Sequence, residues 1–198
     1  MLPCLTREVD RIAEAFSAVP RRLFLPRGAR WRAGLDAPIL IGHGQTNSQP
    51  RTVAAMLRLL EVRPGDRVLD VGSGSGWTTA LLAHLTGPAG EVIGVEIEPE
   101  LVAFGAANLA RPDRPWASIV PAEPGVLGLP ERAPYDRILV SAMAPDLPQQ
   151  LTDQLTEDGR MVAPVAGRML LVRRSGEDIE VTTHGEYRFV PLHCPPLP

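Results

Sequence analysis

The sequence predicts an α/β fold, in which helices cover both faces of a mainly parallel sheet that ends in antiparallel strands. Apolar runs of strand length alternate with segments of helical periodicity between residues 67 and 155. This alternation is typical of parallel strands joined by crossover helices. A glycine-rich turn, residues 72–76, follows the first of these strands. Beyond residue 160 the apolar runs are spaced as in hairpins, which predicts the antiparallel end of the sheet.

The first sixty residues are predicted to contain two helices separated by an irregular connector. Apolar side chains recur with helical spacing over residues 6–18, and Thr6 is the candidate cap of this helix. The segment VPRRLFLPRG, residues 19–28, contains two prolines and is predicted to be irregular. Pro50 suits a first helical turn, so the second helix is expected from Pro50 to about Val62.

The remaining elements are predicted from short apolar runs and from longer segments of good helix formers. The predicted strands are 67–71, 91–96, 116–123, 135–143, 160–167, 168–176, 178–185 and 187–192. The predicted helices are 75–87, 99–110 and 147–159. At 198 residues the chain is expected to form a single domain that needs neither a metal nor a disulfide for stability.

Composition excludes several classes of function. The net charge of −3 argues against a general nucleic-acid binder, and the apolar runs are far shorter than the roughly 20 residues that span a membrane. Charged residues appear too early in the chain for a signal peptide. Cys4 and Cys194 could pair only if the termini meet, so reduced thiols in the cytoplasm are expected. The chain has no lysine, which excludes Schiff-base and pyridoxal enzymes and a Walker A phosphate site.

The glycine-rich turn lies in DVGSGSGW, residues 70–77, between the first core strand and its helix. Gly72, Gly74 and Gly76 would let the backbone approach a ligand closely, although a plain tight turn also favours glycine. The dinucleotide fingerprint G-x-G-x-x-G would require glycine where this chain has Trp77, and an indole there disfavours a bound pyrophosphate. The pattern instead resembles motif I of the Rossmann-like, class I methyltransferases that use S-adenosylmethionine (SAM).

Glu96 is the second candidate for cofactor binding. It ends the second core strand, 24 positions after Gly72, where a carboxylate can accept hydrogen bonds from both ribose hydroxyls. The alternative is an exposed acid at a strand end, since Glu98 and Glu100 lie nearby. Together, the loop and the acid favour SAM over a nicotinamide cofactor.

Segments spread from about residue 9 to residue 192 resemble the protein-L-isoaspartate (D-aspartate) O-methyltransferase family. The core Gln-Thr-x-Ser-x-Pro around Ser48 is much more specific to that family than the glycine loop. The matching segments are VPRRLFLP at 19–26, DAPILIGHGQTNSQP at 36–50, RPGDRVLDVGSGSG at 63–76, VIGVE at 92–96, APYDRILVSAMAPDLPQQLTDQL at 133–155, GRMVAPV at 159–165 and FVPL at 189–192.

The resemblance implies a role for each site residue. Ser48 would be the catalytic residue, and the polar stretch 41–50 would form a lid over cofactor and peptide. The N-terminal helices and this lid would occupy residues 1–62, and the SAM-binding core 63–198. The residues that would contact SAM are Thr46, Asn47, Ser48, Gly72, Ser73, Gly74, Gly76, Glu96, Ile97 and Glu123. The alternative role for Ser48 is to cap the helix that begins at Pro50.

The expected chemistry needs alignment rather than a base or a metal. An isoaspartyl side chain is a carboxylate with a pKa near or below 4, so it is ionised at pH 7 and can attack the methyl carbon in line. A neutral hydroxyl such as that of Ser48 can orient it. No histidine is therefore required, and His43, the one nearest the lid, is expected to be a loop residue. The other histidines of the chain are His84, in a predicted helix, and His184 and His193, in the tail.

Family membership would imply repair of damaged proteins, because the methyl ester collapses to a succinimide whose hydrolysis returns some normal aspartate. The expected partners are isoaspartyl-containing proteins or peptides, bound by a monomer without nucleic acid or membrane.

Three departures from the family pattern keep two other functions open. The helical segment before VPRRLFLP is short, and RAGLD, residues 32–36, lacks the usual aromatic residue. Ala122, Glu123 and Pro124 replace a Gly-Asp-Gly after the third core strand, and Pro124 removes a backbone donor. A carboxyl methyltransferase for a dedicated peptide or a small carboxylate is one alternative. A non-catalytic module that binds SAM or a peptide is the other.

Overall fold

The computed structural model describes residues 10–110 and 114–193, which form one large sheet with flanking helices and a small hairpin. The helices are α1 (Arg11–Ala18), α2 (Pro50–Leu60), α3 (Trp77–Thr86), α4 (Pro99–Leu109) and α5 (Gln149–Thr152). The strands are β1 (Ile39–Gly42), β2 (Gln45–Asn47), β3 (Arg67–Val71), β4 (Glu91–Glu96), β5 (Ala117–Pro121), β6 (Tyr135–Val140), β7 (Leu155–Val165), β8 (Arg168–Ser175) and β9 (Asp178–Glu186). Short 3-10 helices are found at Arg21–Phe24, Arg27–Arg32 and Pro130–Arg132.

The large sheet has the strand order β5-β4-β3-β6-β7-β8-β9. The first five of these strands are mutually parallel, whereas β8 and β9 are antiparallel to their neighbours. The predicted fold class is therefore confirmed, including its antiparallel C-terminal end. The direction of winding reverses between β3 and β6, and ligands in open α/β sheets bind at such a switch point, beyond the carboxyl ends of the strands.

Both faces of the central strands are buried, which explains why β3, β4 and β6 are almost continuously apolar. One hydrophobic cluster joins α1, α2 and α3 to one face of the sheet. A second cluster covers the other face with α5 and the segment that follows β5. Helix α3 has little amphipathic character because it is buried on nearly all sides, between the sheet and the N-terminal helices.

The first helix is shorter than the sequence predicts. It begins at Arg11, and the carboxylate of Asp10 caps it by accepting hydrogen bonds from the amides of Ile12 (3.0 Å) and Ala13 (3.2 Å). The predicted cap Thr6, together with Cys4 and Cys194, lies outside the described residues.

Two C-terminal predictions are wrong. Only Gln149–Thr152 is helical within the predicted helix 147–159, because β7 already begins at Leu155, whose side chain packs into the core beside β6. Residues 187–192 do not form a strand of the sheet; the segment forms a single bridge with the loop after β6. The amide of Met143 donates to the carbonyl of Val190 (2.7 Å), and the amide of Leu192 donates to the carbonyl of Met143 (2.8 Å).

None of the helices in the described part of the chain is long and apolar enough to cross a membrane.

Candidate active site

A cleft with about 690 Å³ of space, part of it open to solvent, lies at the carboxyl edge of the sheet, at the switch point between β3 and β6. This is the place where open α/β sheets bind small-molecule ligands. Six segments line the cleft: hairpin β1–β2, the glycine loop after β3, the end of β4, the end of β6, the loop after β5, and the C-terminal segment. The lining residues from the hairpin are Ile41, Gln45 and Thr46, and those from the C-terminal segment are Val190, Pro191, Leu192 and His193.

The glycine loop lies along the floor of the cleft with the conformation that its sequence requires. Gly72, Gly74 and Gly76 have φ values of +78°, +53° and +83°, which side chains rarely adopt. Helix α4 approaches the loop closely at Gly105, where a Cβ would lie 2.8 Å from the carbonyl oxygen of Gly74. Gly105 is not among the predicted site residues, although a glycine inside a helix is a signal of close packing.

The three loop glycines do not all face the cleft. Gly72 and Gly74 line it. Gly76 lines neither the cleft nor the smaller polar pocket that adjoins it, and lies directly before α3. A Cβ at Gly76 would lie 3.1 Å from the carbonyl oxygen of Gly105, so this glycine permits packing of α4 against the loop. Trp77 is almost fully buried, and its indole N–H donates to the carbonyl of Val19 (3.1 Å). The indole thus fixes the N-terminal segment to α3.

Glu96 lies in the wall of the cleft, 6% exposed, at the end of β4. One carboxylate oxygen accepts from the amide of Gly74 (2.8 Å), and the other accepts from the amides of Ile97 (2.8 Å) and Glu98 (3.0 Å). Because a carboxylate has about four lone pairs, three backbone bonds leave room for one further donor. The residue fits a ribose hydroxyl, but two hydroxyls would require the bond to Gly74 to open. Ile97, the other residue of this strand end that is predicted to bind the cofactor, lines the cleft beside Glu96.

Asp70 is a functional candidate that the sequence analysis missed. Its completely buried carboxylate accepts hydrogen bonds from the hydroxyls of Thr78 and Thr79, both at 2.7 Å, and lies 3.4 Å from the hydroxyl of Ser141. Burial raises the pKa of Asp70 to about 6 against the opposing effect of these hydroxyls, and the charge of Glu96 adds to the rise. The contacts connect β3, α3 and β6 directly beneath the glycine loop.

The predicted lid is a β-hairpin with an unusual tip. Strands β1 and β2 pair in antiparallel fashion, and Gly42, His43 and Gly44 between them all have positive φ. Two glycines in the sequence GHG thus permit a very tight reversal, which explains in part why the stretch is so polar and small. Thr46 lines the cleft and lies opposite Leu40 in the hairpin.

A smaller polar pocket of about 290 Å³ adjoins the cleft beneath the hairpin and shares part of its lining. Its lining includes Thr46, Asn47, Ser48, Gly72, Ser73, Gly74, Ser75 and Ser141. The buried hydroxyl of Ser73 has no hydrogen-bond partner. The Ser48 side chain also makes no hydrogen bond within residues 10–110 and 114–193. Both hydroxyls are therefore available to a ligand in this pocket.

The alternative that Ser48 caps α2 is wrong. The residue before the helix, Gln49, makes no side-chain bond to the helix amides, and neither does Ser48. Instead, the amide of Arg51 donates to the carboxylate of Asp36 (3.0 Å), which the chain brings in from 15 residues upstream. The carboxylate thus satisfies an amide of the first helical turn and leaves the hydroxyl of Ser48 free.

His43 connects the hairpin tip to the beginning of α4. Its Nε2 lies 3.0 Å from a carboxylate oxygen of Glu100, and its Nδ1 lies 3.6 Å from one of Glu98. The prediction that His43 is a loop residue is confirmed, and its side chain also contacts two carboxylates. The contact joins the hairpin tip to the residues just after Glu96 and Ile97, both of which line the cleft.

The altered loop after β5 also lines the cleft, next to the end of β4. Ala122 and Glu123 line it, and the amide of Ala122 donates to the carbonyl of Glu96 (2.8 Å). Gly125 has positive φ, and the amide of Val126 closes the turn on the carbonyl of Glu123 (3.1 Å). The exposed Glu123 carboxylate therefore stands at the rim.

All the predicted site residues except Gly76 thus lie in the linings of the cleft and its polar pocket. In the described part of the chain, no group of three or more His, Cys, Asp or Glu side chains is arranged to hold a metal ion.

Comparison with known proteins gives one family consistently. The sequence model of the family described as protein-L-isoaspartate (D-aspartate) O-methyltransferase matches residues 5–194. A protein-L-isoaspartate O-methyltransferase from Methanothrix thermoacetophila is 47% identical over 185 residues, which are 92% of this chain and 88% of that protein.

Solved structures give the same similarity. One protein-L-isoaspartate O-methyltransferase superposes with a TM-score of 0.81 at 27% identity, and the match covers 92% of this chain but only 61% of that structure. A Plasmodium falciparum structure assigned to the same family, in complex with S-adenosyl-L-homocysteine, has a TM-score of 0.78 at 29% identity. That match covers 94% of this chain and 91% of the other.

Proposed function

We propose that this chain, which belongs to the protein-L-isoaspartate (D-aspartate) O-methyltransferase family, methylates the carboxylate of L-isoaspartyl residues in damaged proteins or peptides. The methyl donor is SAM, the cofactor of this class of enzyme, and the related Plasmodium falciparum structure contains its demethylated product. The chain has the fold of a Rossmann-like, class I SAM-dependent methyltransferase.

The juxtaposition of two kinds of side chain at one cleft supports this function most directly. Glu96 offers a carboxylate with one free acceptor position in the wall of the cleft, and Ser48 offers a free hydroxyl in the adjoining polar pocket. The two spaces share the glycine loop at Gly72 and Gly74. A cofactor with a polar ribose at one end and an amino acid at the other would contact both.

We assign the cofactor-binding role to residues that line these two spaces. Glu96 and Ile97 would contact the ribose, and Glu123 at the rim would lie on the adenine side. Thr46, Asn47 and the loop glycines would border the methionine end. Bound SAM supplies an electrophilic methyl group on a sulfonium. The positive φ values let the loop backbone approach that end of the ligand, and Ser73 brings a buried hydroxyl without a partner.

The reaction that this site supports is an in-line displacement. An oxygen of the isoaspartyl carboxylate forms a bond to the methyl carbon while the carbon–sulfur bond breaks, and its electron pair goes to sulfur. No proton moves, so no general base is needed. The task of Ser48 is to donate a hydrogen bond to the carboxylate and so to align it.

A single experiment tests this function against its two alternatives. Methyl transfer from labelled SAM is measured with two short peptides that differ only in isoaspartate or aspartate at one position. Labelling of the isoaspartyl peptide alone is the expected result. Labelling of neither peptide, with SAM binding intact by calorimetry, would favour a dedicated peptide, a small carboxylate or a binding module. The aspartyl peptide is the matched control, because it has the same composition and charge.

The domain organisation, cellular location and oligomeric state of the protein are also part of this proposal. We propose that residues 1–62 and 63–198 fold as one domain, since a single hydrophobic cluster contains Ala15 and Phe24 from the first part and Leu81 and Leu139 from the second. We further propose a cytoplasmic monomer that acts on isoaspartyl proteins without nucleic acid or membrane, in keeping with the modest net charge of −3.

A further inference from the structure

Arg21 is the most highly connected buried cation near the lid. It is 6% exposed in the 3-10 helix Arg21–Phe24, and its guanidinium donates to five acceptors. Nε donates to the side-chain oxygen of Asn47 (2.6 Å), and Nη1 to the carbonyl of Leu35 (2.9 Å). Nη2 donates to the carbonyls of Ala37 (2.8 Å), Asn47 (3.0 Å) and Ser48 (2.8 Å).

These contacts fix the segment that carries the catalytic serine. Two of the five acceptors are the peptide carbonyls of Asn47 and Ser48 themselves. The amide group of Asn47, oriented by Arg21, donates in turn to the hydroxyl of Ser75 in the glycine loop (3.0 Å). Through Asn47, Arg21 therefore sets the position of the hairpin relative to the loop. Nη2 has two N–H bonds for three carbonyls, so at least one of these bonds is shared. A planar guanidinium with five N–H bonds suits such a cluster of acceptors better than an ammonium with three.

The charge of Arg21 has no acidic partner at contact distance. In the described ranges 10–110 and 114–193, no carboxylate lies within 4.0 Å of its nitrogens. The charge of Asp36 favours the cationic form of Arg21 from beyond that distance, and the Asp36 carboxylate accepts hydrogen bonds from Gln49 and Arg51. Burial lowers the pKa of Arg21 to about 10, so the group is still cationic at pH 7. A buried cation without a counter-ion is costly, and such a cost is kept where the charge has a use.

The reaction gives that charge a use. Methyl transfer joins a carboxylate to a sulfonium-bound methyl and leaves two neutral products, so the negative charge fades in the transition state. A cation in direct contact with the carboxylate would stabilise the ground state more than the transition state and would slow the reaction. A cation that neutral peptide groups separate from the carboxylate attracts it without forming a direct ion pair.

We propose that Arg21 is the positioning residue of the methyl-acceptor site. It fixes Asn47 and Ser48 against the glycine loop. Its charge, which lies 5.4 Å from the centroid of the Trp77 ring and contacts no carboxylate of the described residues, draws the substrate carboxylate to Ser48 without touching it. This inference rests on the proposed function for the identity of the substrate. The ordering of the lid by Arg21 is independent of that function.

The test compares charge and geometry in separate variants. Arg21→Met removes both, and Arg21→Lys keeps the charge but loses two of the five donors. Asn47→Asp keeps Arg21 and sets a carboxylate against it, which neutralises the cation in place. The matched control is Arg22→Met, which removes the same charge from the neighbouring exposed residue. Each variant is assayed for kcat and KM with an isoaspartyl peptide, and for SAM affinity by calorimetry.

The expected results differ between variants that lose the charge of Arg21 and variants that lose its hydrogen bonds. Arg21→Met raises KM and lowers kcat, each by about tenfold or more, while SAM affinity stays within about threefold. Arg21→Lys recovers KM to within about threefold of wild type, but kcat stays low because the ammonium cannot satisfy five acceptors. Asn47→Asp raises KM as Arg21→Met does. Arg22→Met changes each quantity by less than about twofold.

Two measurements without turnover separate this inference from the proposed function. Hydrogen exchange at residues 45–48 should be faster in Arg21→Met than in wild type, and peptide binding to protein loaded with S-adenosylhomocysteine should weaken in parallel with KM. If wild type neither methylates nor binds the peptide, the proposed function falls together with the electrostatic role, and hydrogen exchange decides the positioning role.

Three results would overturn the inference. The first is wild-type KM and kcat in Arg21→Met. The second is an Arg21→Lys variant with the KM of Arg21→Met, which would mean that the charge has no role. The third is a SAM affinity that falls as much as peptide affinity, which would indicate general collapse of the site. If Arg21→Met does not fold, Arg21→Lys and Asn47→Asp still distinguish charge from geometry.

Discussion

The glycine loop and the β1–β2 hairpin meet at the same cleft but are fixed by contacts of different kinds. The loop adopts its path because its own glycines permit positive φ, and because acids at the ends of β3 and β4 accept from it or lie beneath it. The hairpin depends on partners far along the chain: Arg21 is 26 residues from Asn47, and Glu100 is 57 residues from His43. A change in the loop should therefore affect cofactor affinity or stability, whereas a change around the hairpin should affect use of the acceptor.

The largest effect on the loop side is expected from the buried Asp70. Its pKa is about 6 in the folded protein and about 3.8 when unfolded, so the folded state keeps the proton to higher pH. The stability that the protonated form contributes is fully present below pH 4 and is lost as pH rises to about 6. The unfolding free energy of wild type relative to Asp70→Asn should fall by about 3 kcal/mol over that range.

Urea unfolding of both proteins at pH 4 and pH 7 measures this difference. Asparagine keeps the shape of Asp70 but does not titrate, so pH effects from other groups cancel in the comparison. A difference between the two proteins that does not change with pH would mean that the carboxylate is ionised throughout, and hence less desolvated than its burial indicates.

Glu96→Ala tests the wall of the cleft next to the loop. The variant loses both a ribose acceptor and the acceptor for three backbone amides. We expect SAM to bind about 30- to 100-fold more weakly, since hydrogen bonds to charged groups contribute about 1.5–3 kcal/mol each. Calorimetry gives the affinity. Glu91→Ala is the control, an acid at the far end of the same strand. Wild-type affinity in Glu96→Ala would place the ribose elsewhere.

Ser48→Ala tests the hairpin side, and the result should be the reverse. We expect kcat for the isoaspartyl peptide to fall about 5- to 10-fold because an aligning hydrogen bond contributes about 1 kcal/mol. SAM affinity and thermal stability should stay close to wild type, because the hydroxyl makes no hydrogen bond within the described residues. Ser118→Ala, on the exposed side of β5, is the matched control. Unchanged turnover would remove Ser48 from the catalytic site.

The smallest effect is expected from His43→Ala, which breaks the contact between the hairpin tip and the beginning of α4. Exposed pairs contribute only about 0.2–1 kcal/mol, so SAM should bind about twofold more weakly at low salt. To the extent that the contact is ionic, the difference should shrink at high ionic strength, where exposed ion pairs are screened. Calorimetry at two salt concentrations, with His184→Ala as control, measures it. A larger effect that salt does not change would point to the shape of the tip rather than to the charges of Glu98 and Glu100.

Much of the fold could be predicted from the sequence because it is coded by short-range patterns. Apolar runs and helical periodicity gave the parallel core, and the spacing of the last runs gave its antiparallel end. The errors are found where tertiary pairing overrides local preference. Residues 155–159 look like the end of a helix but extend β7. Residues 187–192 look like a strand, but the end of this segment bonds to the loop after β6 and lines the cleft. Neither outcome can be decided from a short window of sequence.

The same division applies to the site. The glycine loop, Glu96 and the polar stretch around Ser48 could be predicted from the sequence, because each is a local motif next to a recognisable element. By contrast, no local motif predicts that Asp36 caps α2, that Arg21 holds Asn47 and Ser48, or that Asp70 is buried beneath the loop. These roles depend on hydrogen bonds between distant segments and on the exclusion of water, and both exist only after the chain has folded.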